Sequence, residues 1–237
     1  MKKLVLLSII FSLFFLSCTD EPESDPEVMG AYCYLYQFVP GLENVNWIVD
    51  DIEVPNEQAY ASFFPGSVIL ESASEEINFT VKHAITGDIL ESQSFTLEED
   101  KYYNVIITGA ELDPVLLIKE IETSRPQSGN VKFQMLHAGI FHDSIDVYMG
   151  GSSPNYRVVT DMDFTELSDP FEAKDFEARA AITVTVHDSA YNQDNVLLTS
   201  LYNDLIVSGA NYLTVVAPST IDPLSELTLW LFDLPVE

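Results

Sequence analysis

Apolar and polar residues alternate with a period of two over most of this chain. Ile77-Asn78-Phe79-Thr80-Val81 and Ile182-Thr183-Val184-Thr185-Val186 set apolar side chains against Asn or Thr, as strands with one buried face do. Tyr102 to Thr108, Val115 to Ile121, Asn211 to Val216 and Leu227 to Leu231 are further β-prone runs. Thr86-Gly87-Asp88, Pro65-Gly66 and Gly150-Gly151-Ser152-Ser153-Pro154 carry turn chemistry between them. No long amphipathic helix is written in the pattern, and Asp169 to Arg179 reads as a short helix or an irregular loop. Many short strands with regular turn signals predict an all-β fold of antiparallel β-sandwiches, Ig-like or Greek-key in type.

The pattern also repeats. Cys33-Tyr34-Leu35-Tyr36-Gln37 through Asn46-Trp47-Ile48-Val49 aligns with Phe133-Gln134-Met135-Leu136-His137 through Asp146-Val147-Tyr148-Met149. Ile77 to Val81 then matches Ile182 to Val186, and Tyr103-Asn104-Val105-Ile106 matches Tyr212-Leu213-Thr214-Val215. The offset grows along the chain, as loop insertions in the second copy would make it. Asp113-Pro114 recurs as Asp222-Pro223 before each final strand, and Ser124-Arg125-Pro126-Gln127-Ser128-Gly129 has linker composition. Two tandem domains are expected, over 28–123 and 130–237, joined by 124–129.

The first residues follow a different rule. Lys2 and Lys3 precede an apolar run from Leu4 to Leu16, closed by Ser17-Cys18. The run is short for a membrane span and has the basic start and small-residue end of a secretory signal. A small residue directly before cysteine resembles the lipobox of bacterial lipoproteins, which implies cleavage after residue 17 and a lipid on Cys18. Phe15 stands where that motif usually has leucine. Residues 18–27 contain no large apolar side chain after Cys18 and read as an extended acidic tether of about 25–30 Å. Acidic residues just after the cysteine also resemble the surface-export signal of lipoproteins in some Bacteroidetes.

Composition then restricts the partners. Apolar residues are 47% of 237, so the chain can bury a core. Formal net charge is −28, and loss of Lys2 and Lys3 with the leader leaves 8 basic against 38 acidic residues, or −30. Such a charge repels phosphates and anionic headgroups and excludes nucleic acid as a partner. Cys33 is the one cysteine besides Cys18, so no disulfide is expected inside the folded body, and its alternation beside Leu35 reads as a small buried hydrophobe.

Residues with chemistry cluster in the second copy at His137, His142, Asp143, Ser144 and Asp146. A hydrolytic triad or zinc site could draw on such a set, yet no nucleophile elbow surrounds Ser144. The first copy has Gln37 and Asn46 at the matched positions, which keeps hydrogen bonding and discards every titratable atom. His137 with Asp146, and Gln37 with Asn46, are therefore read as structural polar pairs tying adjacent strands, with no catalytic residue and no metal assigned. Asp161-Met162-Asp163 and Glu98-Glu99-Asp100 offer oxygen ligands for calcium without any EF-hand loop. Tyr32, Tyr34, Tyr36 and Phe38 share a strand face, with Trp47 and Trp230 adding large rings. Tyr32, Tyr34, Tyr36 and Trp47 are the candidate ligand-face aromatics, which could stack on sugar rings or pack in a core. Asn78-Phe79-Thr80 matches a glycosylation acceptor but falls in a strand.

His137-Ala138 followed by Ile145-Asp146-Val147-Tyr148 resembles the opening of a family of bacterial envelope proteins, domain of unknown function 4397. Gly209-Ala210-Asn211-Tyr212-Leu213-Thr214-Val215-Val216 and Phe64-Pro65-Gly66-Ser67 resemble later elements of its repeat. Gly139-Ile140 replaces the family's Ser-Pro. The resemblance implies a sandwich-like secreted domain and brings no activity with it. These readings anticipate a lipid-anchored protein of the bacterial cell envelope, at the outer membrane, acting as a non-catalytic binding or structural module for a protein or glycan. No cofactor is expected. The alternatives are a calcium-dependent adhesion module and an envelope hydrolase using the His/Asp cluster.

Overall fold

The computed structural model describes residues 30–54, 57–149, 154–173, 182–188, 196–202 and 206–236. The leader, Cys18 and the acidic tether lie outside them, as do Gly150 to Ser153 and residues 174–179. Strands make up most of the described residues. In the first half these are β1 (Gly30–Gln37), β2 (Asn44–Val49), β3 (Ile52–Glu53), β4 (Gln58–Ala59), β5 (Ser62–Ile69), β6 (Ser74–His83), β7 (Ile89–Glu98), β8 (Tyr102–Ala110) and β9 (Asp113–Glu120). In the second they are β10 (Val131–His137), β11 (Ser144–Met149), β12 (Arg157–Asp163), β13 (Phe171–Ala173), β14 (Ile182–Asp188), β15 (Val196–Tyr202), β16 (Asn211–Pro218) and β17 (Leu227–Leu234). Phe171 to Ala173, expected in a short helix or loop, form β13 instead, because β10 offers them a free edge at Val131 to Phe133.

Each half is a sandwich of two sheets. The first has the orders β5-β1-β8-β9 and β3-β2-β6-β7, with β4 also pairing β2; the second has β13-β10-β16-β17 and β12-β11-β14-β15. The fold is all-β. Pairing is antiparallel except where the first strand of each half meets the strand that closes its sheet, β1 with β8 and β10 with β16, which run parallel. The halves differ at one edge. The first commits eight residues (β5) to the sheet of β1, whereas the second commits seven (β12) to the sheet of β11. Pro65-Gly66, expected as a turn, lies inside β5, where proline is tolerated because the strand is an edge.

Alternation explains the cores. On β6, Ile77, Phe79 and Val81 point inward and Asn78 outward. They meet Cys33, Leu35, Val45, Trp47, Val105 and Ile107 in the core of the first half. In the second, Phe133, Met135, Ile145, Val147, Val186 and Tyr212 do the same work. A third apolar cluster lies between the halves, where Tyr36, Phe38 and Ile106 meet Leu136, Leu213, Val215 and Ala217. Phe232 stands at its centre, with its ring edge-on to Tyr36, Phe38 and Phe63 at 5.2, 5.8 and 5.7 Å. The middle of the second half's sheet is thus covered on both faces, and all of β10 and β16 is buried. Polar ties lock this contact: Asn104 Nδ2 donates to Gln134 Oε1 at 2.8 Å, and Gly41 N–H to the Ile221 carbonyl at 2.7 Å. Among the described residues no helix is long and apolar enough to cross a membrane.

Candidate functional site

The His137 cluster resolves into two separate ties. His137 ends β10, and the chain then crosses to β11 in the opposite sheet. Its Nε2 lies 2.8 Å from the His142 carbonyl, and its Nδ1 accepts from Gly139 N–H at 3.2 Å. A carbonyl can only accept, so the proton is on Nε2 and the ring is neutral. Burial pushes the imidazole down from 6.5 to about 4, against the opposing pull of the His142 carbonyl. Gln37 repeats this geometry: Val39 N–H donates to Oε1 at 3.0 Å, and Nε2 donates to the Leu42 carbonyl at 3.0 Å. Both side chains brace the loop that turns from one sheet of their sandwich to the other.

The expected pairing of His137 with Asp146 is not formed. β10 and β11 lie in different sheets and not side by side, so the two side chains serve different neighbours. Asp146 accepts from Asp161 N–H at 2.9 Å and from the Arg157 guanidinium at 3.2 Å, which ties β11 to β12. Asn46 likewise makes no bond to Gln37, and its side chain has no hydrogen-bond partner among the described residues. His142 Nδ1 stands 3.5 Å from Asp188 Oδ2. With both ring nitrogens of His137 held by its own loop, neither is placed to take a proton from a nucleophile. Asp161 and Asp163 flank Met162, whose side chain is core, while Glu98 ends β7 and Glu99-Asp100 form the tight turn toward β8. Among the described residues no group of three or more His, Cys, Asp or Glu is arranged to hold a metal ion.

The four candidate aromatics separate as well. Trp47 is fully buried, and its indole N–H donates to Gln58 Oε1. Tyr36 is buried between the halves, and Tyr34 is half-buried. Only Tyr32 opens to solvent, at 43% exposure. The parallel register sets it opposite Tyr102, and the rings stack at 4.7 Å with 15° between planes. Sequence reasoning missed Tyr102 as a site residue; only the β1–β8 pairing brings it there.

These rings line an open cleft of about 630 Å³ where the sheet of β1 emerges from the contact between halves. Lys101 and the acidic side chains Glu99, Asp100, Glu120 and Glu122 also line it. Lys101 Nζ meets Glu120 at 2.8 Å, a hydrogen bond that raises the lysine's pKa. Lys132, nearly buried, holds Glu122 at 2.7 Å and pulls that carboxyl below its usual range, with help from Ser124. The cleft therefore offers an aromatic surface ringed by fixed acceptors and donors, without a nucleophile–base pair. Cys33 is buried, and desolvation pushes its thiol up to about 12, which leaves it inert.

No curated protein matches the sequence. Among solved structures, a family 41 carbohydrate-binding module from streptococcal virulence factors, described for α-glucan recognition, shares 10% identity. It covers 83% of this chain and 99% of its own, at a TM-score of 0.27. A family 26 carbohydrate-binding module of Eubacterium rectale Amy13K, solved with maltoheptaose, shares 9% identity over 87% of this chain and 97% of its own, at 0.27. Both are loose likenesses. The profile of the family described as Domain of unknown function (DUF4397) matches residues 31–148, which run from β1 through the first half to the end of the Ile145-Asp146-Val147-Tyr148 motif on β11. Through that stretch, the chain resembles the DUF4397 family.

Proposed function

We propose that this chain is a lipid-anchored, non-catalytic binding module of the bacterial cell envelope, and that its ligand is a neutral glycan seated on the Tyr32–Tyr102 stack. Lys2-Lys3, the apolar run 4–16 and Ser17-Cys18 support the anchor reading, in which the body lies outside the inner membrane, at the outer membrane. The observation that carries the ligand reading is the exposure of Tyr32 with its ring stacked on Tyr102, at the end of a strand whose Tyr36 is buried against the second half. A stacked aromatic surface beside hydrogen-bonding side chains suits a sugar ring, which is apolar on its faces and polar at its rim. The net charge of −28 disfavours acidic polysaccharides and leaves neutral ones.

Calorimetric titration of the mature chain with neutral oligosaccharides tests this. A stacked ring contributes about 1–1.5 kcal/mol, so Tyr32→Ala with Tyr102→Ala should weaken binding about tenfold or more. Circular dichroism should stay unchanged. Binding that survives the double substitution at full strength, or no saturable binding by any of the sugars, would overturn the assignment.

A further inference from the structure

The first sandwich is open along one edge. Cys33 and Gly66 face each other across the β1–β5 ladder, so a small side chain stands beside a position with none on the inner face of the sheet. The result is a groove of about 500 Å³ that reaches Cys33 and Leu35, with Phe64, Val68, Val49 and Val54 as its walls. Ile52 and Ile69, each 73% exposed, flank its mouth with Asp50 and Glu53, and no basic side chain lines it. Gly66 is not required by backbone strain: its φ is not positive, and a Cβ there would meet nothing closer than 3.8 Å. The glycine leaves the groove empty where a larger residue would fill it.

The backbone beside the groove is equally available. Tyr32 N–H donates to Lys101, and Phe38 N–H to Ile107, so the even-numbered residues of β1 point their backbone at β8. Ala31, Cys33 and Leu35 then bond Val68, Gly66 and Phe64, and the backbone groups of Phe63, Pro65, Ser67 and Ile69 point away from the sheet. Pro65 falls where its missing N–H costs no ladder bond. Among the described residues β5 pairs with β1 alone.

We infer that this edge is a docking site for an extended segment of a partner protein, which adds a strand to β5, inserts an apolar side chain beside Gly66 and sets a basic side chain against Asp50 and Glu53. An unpaired edge recognises peptide backbone, a core-deep apolar groove recognises an aliphatic side chain, and an all-acidic mouth selects positive charge. A second copy of this chain, at −28, is the wrong partner by charge.

The test uses the mature chain and a fluorescein-labelled heptapeptide, Lys-Val-Thr-Ile-Thr-Val-Lys, with a control carrying glutamate for both lysines. Anisotropy should report saturable binding of the lysine peptide, weakened by salt, and none of the glutamate peptide. Gly66→Leu, which fills the groove, should weaken binding about tenfold or more. Asp50→Asn with Glu53→Gln should weaken it about fivefold and flatten its salt dependence. Gly66→Ala, which the backbone accommodates, should bind more weakly than the parent and more tightly than the leucine variant, so a folding defect in the latter leaves the ranking readable. No binding of the lysine peptide, equal binding of both peptides, or full binding by the Gly66 variants overturns the inference. Dodecanoate occupying the groove without peptide binding, or self-association of the chain, overturns it as well.

Discussion

Gln37 and His137 stand at matched positions of the two halves and close their loops with the same two hydrogen bonds, one from the backbone N–H two residues on and one to the carbonyl five residues on. An amide and a neutral imidazole are interchangeable here because each offers one acceptor and one donor at the right separation. A protonated imidazole is not, since it would turn a donor toward the Gly139 N–H.

That difference makes the second half sensitive to acid. The folded His137 titrates at about 4 against 6.5 unfolded, so the unfolded state binds more protons between those values. Stability is full above about pH 6.5 and falls as the pH drops toward 4, by on the order of 3 kcal/mol from this group. His137→Gln should abolish that component and cost about 1 kcal/mol or less at pH 7, whereas His137→Ala should cost about 1–3 kcal/mol. Urea melts at pH 7 and pH 4.5 check both. Parallel pH dependence in the parent and the glutamine variant would mean that another group carries it.

Asp146 gives an independent measure. Asp146→Asn keeps an acceptor for Asp161 N–H, but Asp146→Ala strands it and frees Arg157, for about 1–2 kcal/mol. Because His137 and Asp146 serve separate loops, the costs of His137→Gln and Asp146→Asn should add within about 0.5 kcal/mol in the double variant. A larger coupling energy in the thermodynamic cycle would restore the direct pair that the structure denies.

The anchor is tested at Cys18. Cys18→Ala should move the protein from the membrane fraction to the soluble fraction of lysed cells, because acyl chains are the proposed attachment. Recovery in the membrane at the parent's level would remove the lipoprotein reading.

Much of the fold could be read from the chain because alternation is visible wherever one sheet face is wet. Asn78 between Ile77 and Phe79 announces β6 without ambiguity. The same rule fails on β10 and β16, which are buried on both faces, so Gln134 and Thr214 sit inside as Met135 and Val215 do. It also misled on the aromatics, for Tyr32 and Tyr36 share a strand face yet only Tyr36 is covered by the second half. The Tyr32–Tyr102 stack depends on a parallel pairing between residues far apart in sequence, which no local pattern encodes. The His137 tie was half legible: the Gln37 match identified a hydrogen-bonding role, but not that its partners lie within its own loop.

The contact between halves decides how they behave apart. Tyr36, Phe38 and Ile106 on one side and Leu213, Val215 and Phe232 on the other would face water in separate fragments, and such a patch promotes association. Fragments 28–123 and 130–237 each contain a complete pair of sheets, so both should show β-type circular dichroism. Each alone should self-associate in gel filtration, and mixing should give a one-to-one complex. Phe232→Ala removes the ring on which Tyr36, Phe38 and Phe63 converge; it should cost the intact chain about 2–3 kcal/mol and weaken that complex. Monomeric fragments that ignore one another would show that the apolar contact contributes little, and the two sandwiches would then be joined by their linker alone.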